Sequence, residues 1–399
     1  MKHFYFLLIA LLFSSYSYSQ YVQLSPTAEV SIITVGPGSE LYDKFGHSAF
    51  RINDQANGFD IAYNYGTYDF NTPNFYLKFA QGKLLYEISD SSFAHFYQNY
   101  VYQNRWVKEQ VLNLNAQQRQ DVFNYLQNNV KPENKKYKYD FFYDNCATKI
   151  RDVLVEVIGD ELEYTESYIN QTSTFRELIR DNLNENSWGS LGIDLGLGAV
   201  IDVNATPWQH QFLPDYIFLA AKNAKIETIN GTEDFVAETY SLFENRPINP
   251  DNNFFKSPLF VFGILGIIIV FISINDFRKN KRSRYLDTTI FIITGFIGCF
   301  ILFLWFGTDH NATAANYNLL WAFPLSLGLA FATTKRFPKP WLYRYVIFLI
   351  LLMVLLFIHW ITGVQKFSIG FLPLFIALTI RYVFLAFTLP KKTEEVLVD

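Results

Sequence analysis

The chain holds 399 residues, half of them hydrophobic and 18% charged, with two cysteines and a formal net charge of −4. That balance supplies no basic surface for nucleic acid, so none is expected as a partner. It also excludes a domain stapled by internal disulfides. No phosphate-binding glycine loop, dinucleotide fingerprint or zinc spacing occurs, so no cofactor or metal is expected.

Residues 1–19 read as a signal peptide: Lys2 and His3, an apolar run to Phe13, then the small residues of SYSYS before cleavage near Ser19. The run is short for a membrane span, which makes an uncleaved anchor the second choice. Residues 20–256 then form a mixed, aromatic-rich globular part. Strands are predicted at 30–35 (VSIITV, ended by Gly36-Pro37-Gly38), 48–52 and 59–65. A helix is predicted at 117–130, capped by Asn115. A second opens at Cys146 in YDNCATKIRDVL, with Asp144 and Asn145 at cap positions and Ile150, Val153, Leu154 and Val157 at helical spacing up to Gly159. Residues 230–253 read as a linker into the apolar remainder of the chain.

Beyond Pro258 the composition turns apolar, in stretches at about 258–275, 286–306, 317–334, 343–362 and 367–389. Each is near the length that crosses a bilayer core, so a five-helix transmembrane bundle is expected over 257–390. Arg278, Lys279, Lys281, Arg282 and Arg284 fill the first loop, whereas GTDHNATAANYN carries no lysine or arginine. Lys335, Arg336, Lys339 and Arg344 mark the third loop, and Lys391 and Lys392 begin a tail at 391–399. Basic loops face the cytoplasm, which puts the 20–256 domain outside, as the signal peptide independently requires.

Chemistry concentrates at one thiol. Cys146 is the only cysteine of the exported part, and a helix start, with its free N–H groups and positive dipole end, favours a thiolate. A histidine elsewhere completes a nucleophilic site, and His47 in KFGHSAFRI, borne on a strand, suits the role. The blander reading of Cys146 is a small buried hydrophobe. His95 and His210 lack such a setting. A strand-borne histidine facing a helix-start cysteine gives an α+β domain with a cleft at the strand ends. A second polar cluster, Asp309, His310, Thr313, Asn316 and Asn318, lies on the outer loop on the same side as Cys146. It is either a plain hydrophilic turn or a substrate contact for a lipid headgroup or an amine.

The segments LYDKFGHSAFRI, YNYGTYDF, FAQGKLLYEI, YDNCATKIRD, SWGSLGIDL and FLPDYIF, followed by the apolar tail with TDHNATAANYNLLWAFPL, resemble the Lnb N-terminal periplasmic domain family, common in Bacteroidetes. The resemblance implies a permuted papain-like (NlpC/P60, LRAT-like) fold in which histidine precedes cysteine. It implies lipoprotein N-acyltransfer in the bacterial inner membrane, from a membrane phospholipid as acyl donor to the N-terminal amine of a diacylated lipoprotein acceptor. Carried onto this chain, Cys146 becomes the nucleophile and His47 the base, with Asp60 or Asn64 as the orienting group. Two other readings stand beside it: a periplasmic NlpC/P60-like cysteine hydrolase acting on the cell envelope, and a non-catalytic lipid-binding scaffold. Neither accounts as directly for membrane spans beside the thiol.

Overall fold

The computed structural model describes residues 22–247 and 253–398; the expected signal peptide at 1–19 lies outside them. Ten strands follow in chain order: β1 (Glu29–Val35), β2 (His47–Asp54), β3 (Phe59–Thr67), β4 (Leu85–Ser92), β5 (Val107–Leu112), β6 (Lys136–Lys138), β7 (Leu162–Glu163), β8 (Lys225–Thr228), β9 (Gly231–Asp234) and β10 (Val236–Phe243). Seven of them form one antiparallel sheet, ordered β10-β5-β1-β2-β3-β4-β6, while β7, β8 and β9 make a small second sheet. Besides a single helical turn at Pro207–His210, the helices of the domain are α1 (Phe75–Ala80), α2 (Phe93–Tyr102), α3 (Ala116–Asn129), α4 (Cys146–Ile158), α5 (Phe175–Arg180), α6 (Trp188–Gly196) and α7 (Pro214–Asn223). The mixed α+β class read from the sequence therefore holds.

The apolar run of β1 follows from its burial on both faces. Val30 and Ile32 join Leu126 of α3 and Ile150, Val153 and Leu154 of α4 in one core. Ile33 and Val35 join Phe93, Phe96 and Tyr100 of α2 on the opposite face. The sheet is thus sandwiched, and the helix that begins at Cys146 lies against β2 and β3. Asn115 caps α3 through a reciprocal capping box with Gln118, as its position predicts.

The expectation of a plain linker over 230–253 is corrected, because β10 pairs along β5 and closes one edge of the main sheet. As an edge strand it buries little, so its sequence VAETYSLF carries a faint hydrophobic signal.

Among the described residues, four helices or helical spans are long and apolar enough to cross a membrane: α8 (Pro258–Arg278), α9 (Arg284–Phe306), the later Trp341–Thr362, and Ile369–Leu389. The stretch expected to supply a fifth, 317–334, differs. It is a 3₁₀ turn (Tyr317–Leu320), the short helix α10 (Leu325–Leu329) and a second 3₁₀ turn (Ala330–Thr334), interrupted before Pro324. Proline lacks the N–H that a continuous helix would need there. The segment nevertheless runs antiparallel to α9 along its length. A Cβ on Gly298 would lie 2.0 Å from the Ala322 carbonyl, and one on Gly295 would lie 2.1 Å from the Leu327 amide. Near the start of α9, the Thr288 hydroxyl bonds the Thr333 hydroxyl at 2.7 Å. Irregular backbone is tolerated at membrane depth when it is covered by protein, and Trp321, Ala322 and Ala330 are fully buried. The bundle is therefore four helices and one irregular crossing. The Trp341–Thr362 helix is α11, and α12 (Leu372–Val398) carries the last span onward into the expected tail.

At the basic end of the bundle the fully buried Arg381 of α12 pairs with Asp287 of α9 at 2.7 Å and Asp276 of α8 at 2.9 Å. At the other end the globular domain is fastened to the outer loops. Asn318 donates to the Asp194 carbonyl, Asn316 donates to the Leu195 and Gly196 carbonyls, and Trp321 donates its indole N–H to Asn318. Arg180 bonds the Phe367 carbonyl, Asp202 accepts the Lys366 N–H, and Lys138 pairs with Asp309 at 2.8 Å. These bonds hold the domain at one end of the spans.

Candidate active site

Cys146 is the first residue of α4, and its backbone is held by the residue before it. Asn145 has an extended conformation, and its Oδ1 accepts the N–H groups of Ala147 at 2.8 Å and Thr148 at 3.0 Å. Thr148 Oγ1 accepts the Asn145 N–H in return, completing a capping box. The other side of the same amide donates to the carbonyls of Phe141 and Phe212, each at 2.7 Å. With every group engaged and the side chain buried, Asn145 fixes where the thiol points. Asp144, the other expected cap, instead pairs with Lys149 at 2.6 Å.

His47 opens β2, opposite Val35 of β1. Its Nε2 lies 2.5 Å from Oδ1 of Asn64 on β3, an arrangement in which the ring N–H donates to the amide oxygen. That leaves the other ring nitrogen free, and His47 and Cys146 lie close enough to act on each other's charge. The Tyr100 ring of α2 stacks beside the imidazole, 6.0 Å between centroids and 30° between planes. Cys146 and His47 are each partly exposed.

Of the two orienting candidates, the structure brings Asn64 to His47. Asp60 is held elsewhere, in a two-point pair with Arg51 at 2.8 Å for each bond; Arg51 also grips Glu109 across the sheet. Two positions on one strand are told apart by register: Asp60 and Asn64 share a face, but only Asn64 sits at the end where His47 enters β2.

The electrostatics favour an ion pair. Burial alone would raise the Cys146 thiol above its ordinary value of 9.0. The positive charge and hydrogen bond of His47, helped by the N–H groups of Ser48 and Ala147, outweigh it and lower the thiol. Burial alone would likewise lower His47, but the Cys146 charge and hydrogen bond, together with the Asn64 bond, raise it. Arg105 opposes that rise. Its buried guanidinium donates to the Gly36 carbonyl at 2.7 Å and lies over the Tyr100 ring. The charged forms of the two groups thus favour each other.

Several residues around the sulfur carry no chemical motif. Gly66, with φ +89°, lies where a Cβ would meet the Cys146 Cβ and the Tyr139 ring at 3.8 Å each. A glycine there satisfies the left-handed turn at the β3 bulge. Tyr137 and Tyr139 crowd the same side. The alternating tyrosines of KYKYDFFYDNC, running up to the cysteine, are the one sequence signal that points to them.

The outer-loop cluster lies at the seam between domain and bundle. Asn316 and Asn318 are buried, with their amides bonded to the end of α6 and to each other. Asp309 and His310 are exposed at the edge of that seam; the Asp309 N–H donates to the Gln81 carbonyl, and the His310 ring lies over Gly82. Among the described residues no cluster of histidine, cysteine and carboxylates is arranged to hold a metal ion. His210 is buried and bonded through Nδ1 to the Thr206 carbonyl, away from the thiol.

Comparison with known proteins agrees with the two-part organisation. No curated protein and no solved structure is significantly similar to the chain. Family models do match: the Lnb N-terminal periplasmic domain over residues 17–181, which contains Cys146, His47 and Asn64, and the Lnb transmembrane domain over residues 249–393. With both models matched in order over most of its length, the chain belongs to the Lnb family, a membrane protein whose N-terminal domain is periplasmic.

Proposed function

We propose that the protein is a lipoprotein N-acyltransferase of the bacterial inner membrane. In this reading residues 1–19 are removed as a signal peptide, 20–256 act in the periplasm, 257–390 cross the membrane and 391–399 end in the cytoplasm. The observation that carries it is the Cys146–His47–Asn64 constellation, fastened by the seam to the outer end of a membrane bundle. A nucleophile so mounted meets lipid-anchored substrates, whereas a soluble envelope polymer would need no such mounting.

The chemistry is two acyl transfers through one sulfur. The Cys146 thiolate attacks the carbonyl carbon of a phospholipid ester, forming a C–S bond. The C–O bond then breaks, and imidazolium His47 gives its proton to the departing lysophospholipid oxygen. In the second half the N-terminal amine of a diacylated lipoprotein attacks the thioester carbonyl. His47 takes the amine proton, an amide forms and the thiolate is released. Asn64 holds the imidazole in register through both halves, as the asparagine of a Cys-His-Asn site does. The Asn145 side chain occupies the N–H groups of Ala147 and Thr148, which leaves the Cys146 N–H at the helix start as the backbone donor for the developing oxyanion. One such donor is worth about 3 kcal/mol of barrier.

Incubating the purified full chain with phospholipid vesicles and measuring its intact mass tests the scheme. A hydroxylamine-labile acyl adduct on Cys146, discharged by a diacylated lipopeptide with a free amine, is the expected result. Absence of any adduct, or an adduct that persists in Cys146→Ala, overturns it.

A further inference from the structure

The seam leaves one apolar feature beside the site without a protein partner. Residues 68–83 form an excursion between β3 and β4 that carries α1; Phe75 is buried, and four of its other large apolar or aromatic side chains face outward. Phe70 is 66% exposed, Tyr76 80%, Leu77 57% and Phe79 53%. So much exposed apolar surface on one short segment marks a surface meant to be covered. What covers it is set by location. The excursion ends at Gln81 and Gly82, which touch Asp309 and His310 just past the outer end of α9, the helix that spans the membrane. Lys78 and Lys83 flank the rings, as cations do where a segment lies among phosphate headgroups.

The same rings lead inward. Phe79 stacks on Phe75 (6.4 Å between centroids), Phe75 meets Tyr68 at 5.6 Å, Tyr68 meets Tyr86 at 5.4 Å, and Tyr86 stacks on Tyr139 at 4.4 Å. Tyr139 lies across the Gly66 gap from Cys146. A continuous chain of rings therefore joins the exposed excursion to the neighbourhood of the thiol.

We propose that the 68–83 excursion dips into the outer leaflet of the membrane and that its chain of rings is the track along which a phospholipid acyl chain reaches Cys146. The guidance half of this inference rests on the acyl-transfer reading; the seating half does not. The occupant is a lipid surface, because the exposed rings stand at the end of the spans with cations beside them.

The test has two arms, both on the full chain in phosphatidylethanolamine–phosphatidylglycerol bilayers. A nitroxide is attached at Tyr76→Cys in a Cys146→Ser, Cys299→Ser background, with Gln55→Cys at the far turn of the β2–β3 hairpin as the aqueous reference. The Tyr76 label should be relaxed by oxygen in preference to a water-soluble nickel chelate, and the Gln55 label the reverse. In the second arm Leu77→Asp with Phe79→Asp should slow thioester formation from vesicle phospholipid by about tenfold or more, the equivalent of one lost apolar contact of ordinary size. Acetylation of Cys146 by a short soluble ester should stay unchanged. A water-like environment at residue 76, including one caused by a bound protein partner, overturns the seating; undiminished thioester formation in the double variant overturns the guidance. If the unsubstituted protein forms no thioester from any phospholipid, the acyl-transfer reading and the guidance fall together, while the label still decides the seating.

Discussion

Two polar clusters of this chain share residue types and meet opposite fates. At the strand ends, His47 and Asn64 spend one hydrogen bond on each other and leave the remaining ring nitrogen free beside a sulfur that solvent can still reach. At the seam, Asn316 and Asn318 spend their amides on the backbone of α6, on each other and on the Trp321 indole, and they are closed off from solvent. Satisfied amides fasten two bodies together; an amide that holds a titrating ring prepares a reaction. The difference lies in which partner is left over, and substitutions put that contrast at risk one partner at a time.

The largest effect belongs to the groups that take part in bond making. Cys146→Ala and His47→Ala should each lower lipopeptide N-acylation by about a thousandfold or more, the scale seen when a member of a nucleophilic triad is removed. Thermal unfolding should stay close to that of the unsubstituted protein, since neither side chain anchors the core. Acylation at wild-type rate in Cys146→Ala, followed by mass spectrometry of the lipopeptide, would remove the site from the chemistry altogether.

Next comes the pair that shares a strand face. Asn64→Ala should cost about 10- to 100-fold in kcat, the range for a group that orients a catalytic ligand without reacting. Asp60→Ala should instead leave kcat within a few fold and lower the unfolding temperature, because Arg51 loses one of two carboxylates farther along the same face of the sheet. Equal losses of activity in both variants would mean that Asn64 is not a specific holder of His47.

How much of this is legible in the sequence depends on where each signal resides. The Cys146 helix, its cap and β1 are legible because cap chemistry and a doubly buried apolar run are local properties. Strand β10 reads as linker because an edge strand buries too little to print a pattern. The crossing at 317–334 has the right length and hydropathy, but Pro324 and the packing on Gly295 and Gly298 decide its backbone, and packing against another segment is not written locally. The choice between Asp60 and Asn64 stays open in the sequence for the same reason. Both lie on β3, and only the register of β2 against β3, together with Arg51 as a competing partner, separates them.

A pH titration probes the charges of the reactive cluster. Alkylation of Cys146 by iodoacetamide should remain fast well below the ordinary thiol value of 9.0 and decline only as pH falls through the lowered value of the folded protein. In His47→Ala the profile should move upward, to the ordinary range or beyond, because the burial that raises the thiol is then unopposed. Linkage acts with opposite signs for the two partners. The raised His47 contributes stability that is fully present below 6.5 and is lost as pH rises through its folded value. The lowered Cys146 contributes stability that is present above 9.0 and is lost as pH falls through its folded value. An alkylation profile with an unshifted midpoint in His47→Ala would deny the ion pair.

The smallest effect on chemistry should come from the seam. Asn318→Ala strands the Asp194 carbonyl and the Trp321 indole N–H in a buried place, at about 1–3 kcal/mol of stability for groups left unsatisfied. Nothing it touches reaches the sulfur: its bonds run to α6 and to the third crossing, and the Asn145 cap and the His47–Asn64 bond are separate networks. The variant should therefore unfold or dissociate from lipid at a lower temperature while alkylating Cys146 at the unsubstituted rate. Acylation of lipopeptide at moderate temperature should fall by less than about threefold, the equivalent of under 1 kcal/mol. A large loss of acylation with thiol reactivity preserved would show instead that the outer loop contacts substrate, and that its amides do more than fasten the domain to the membrane.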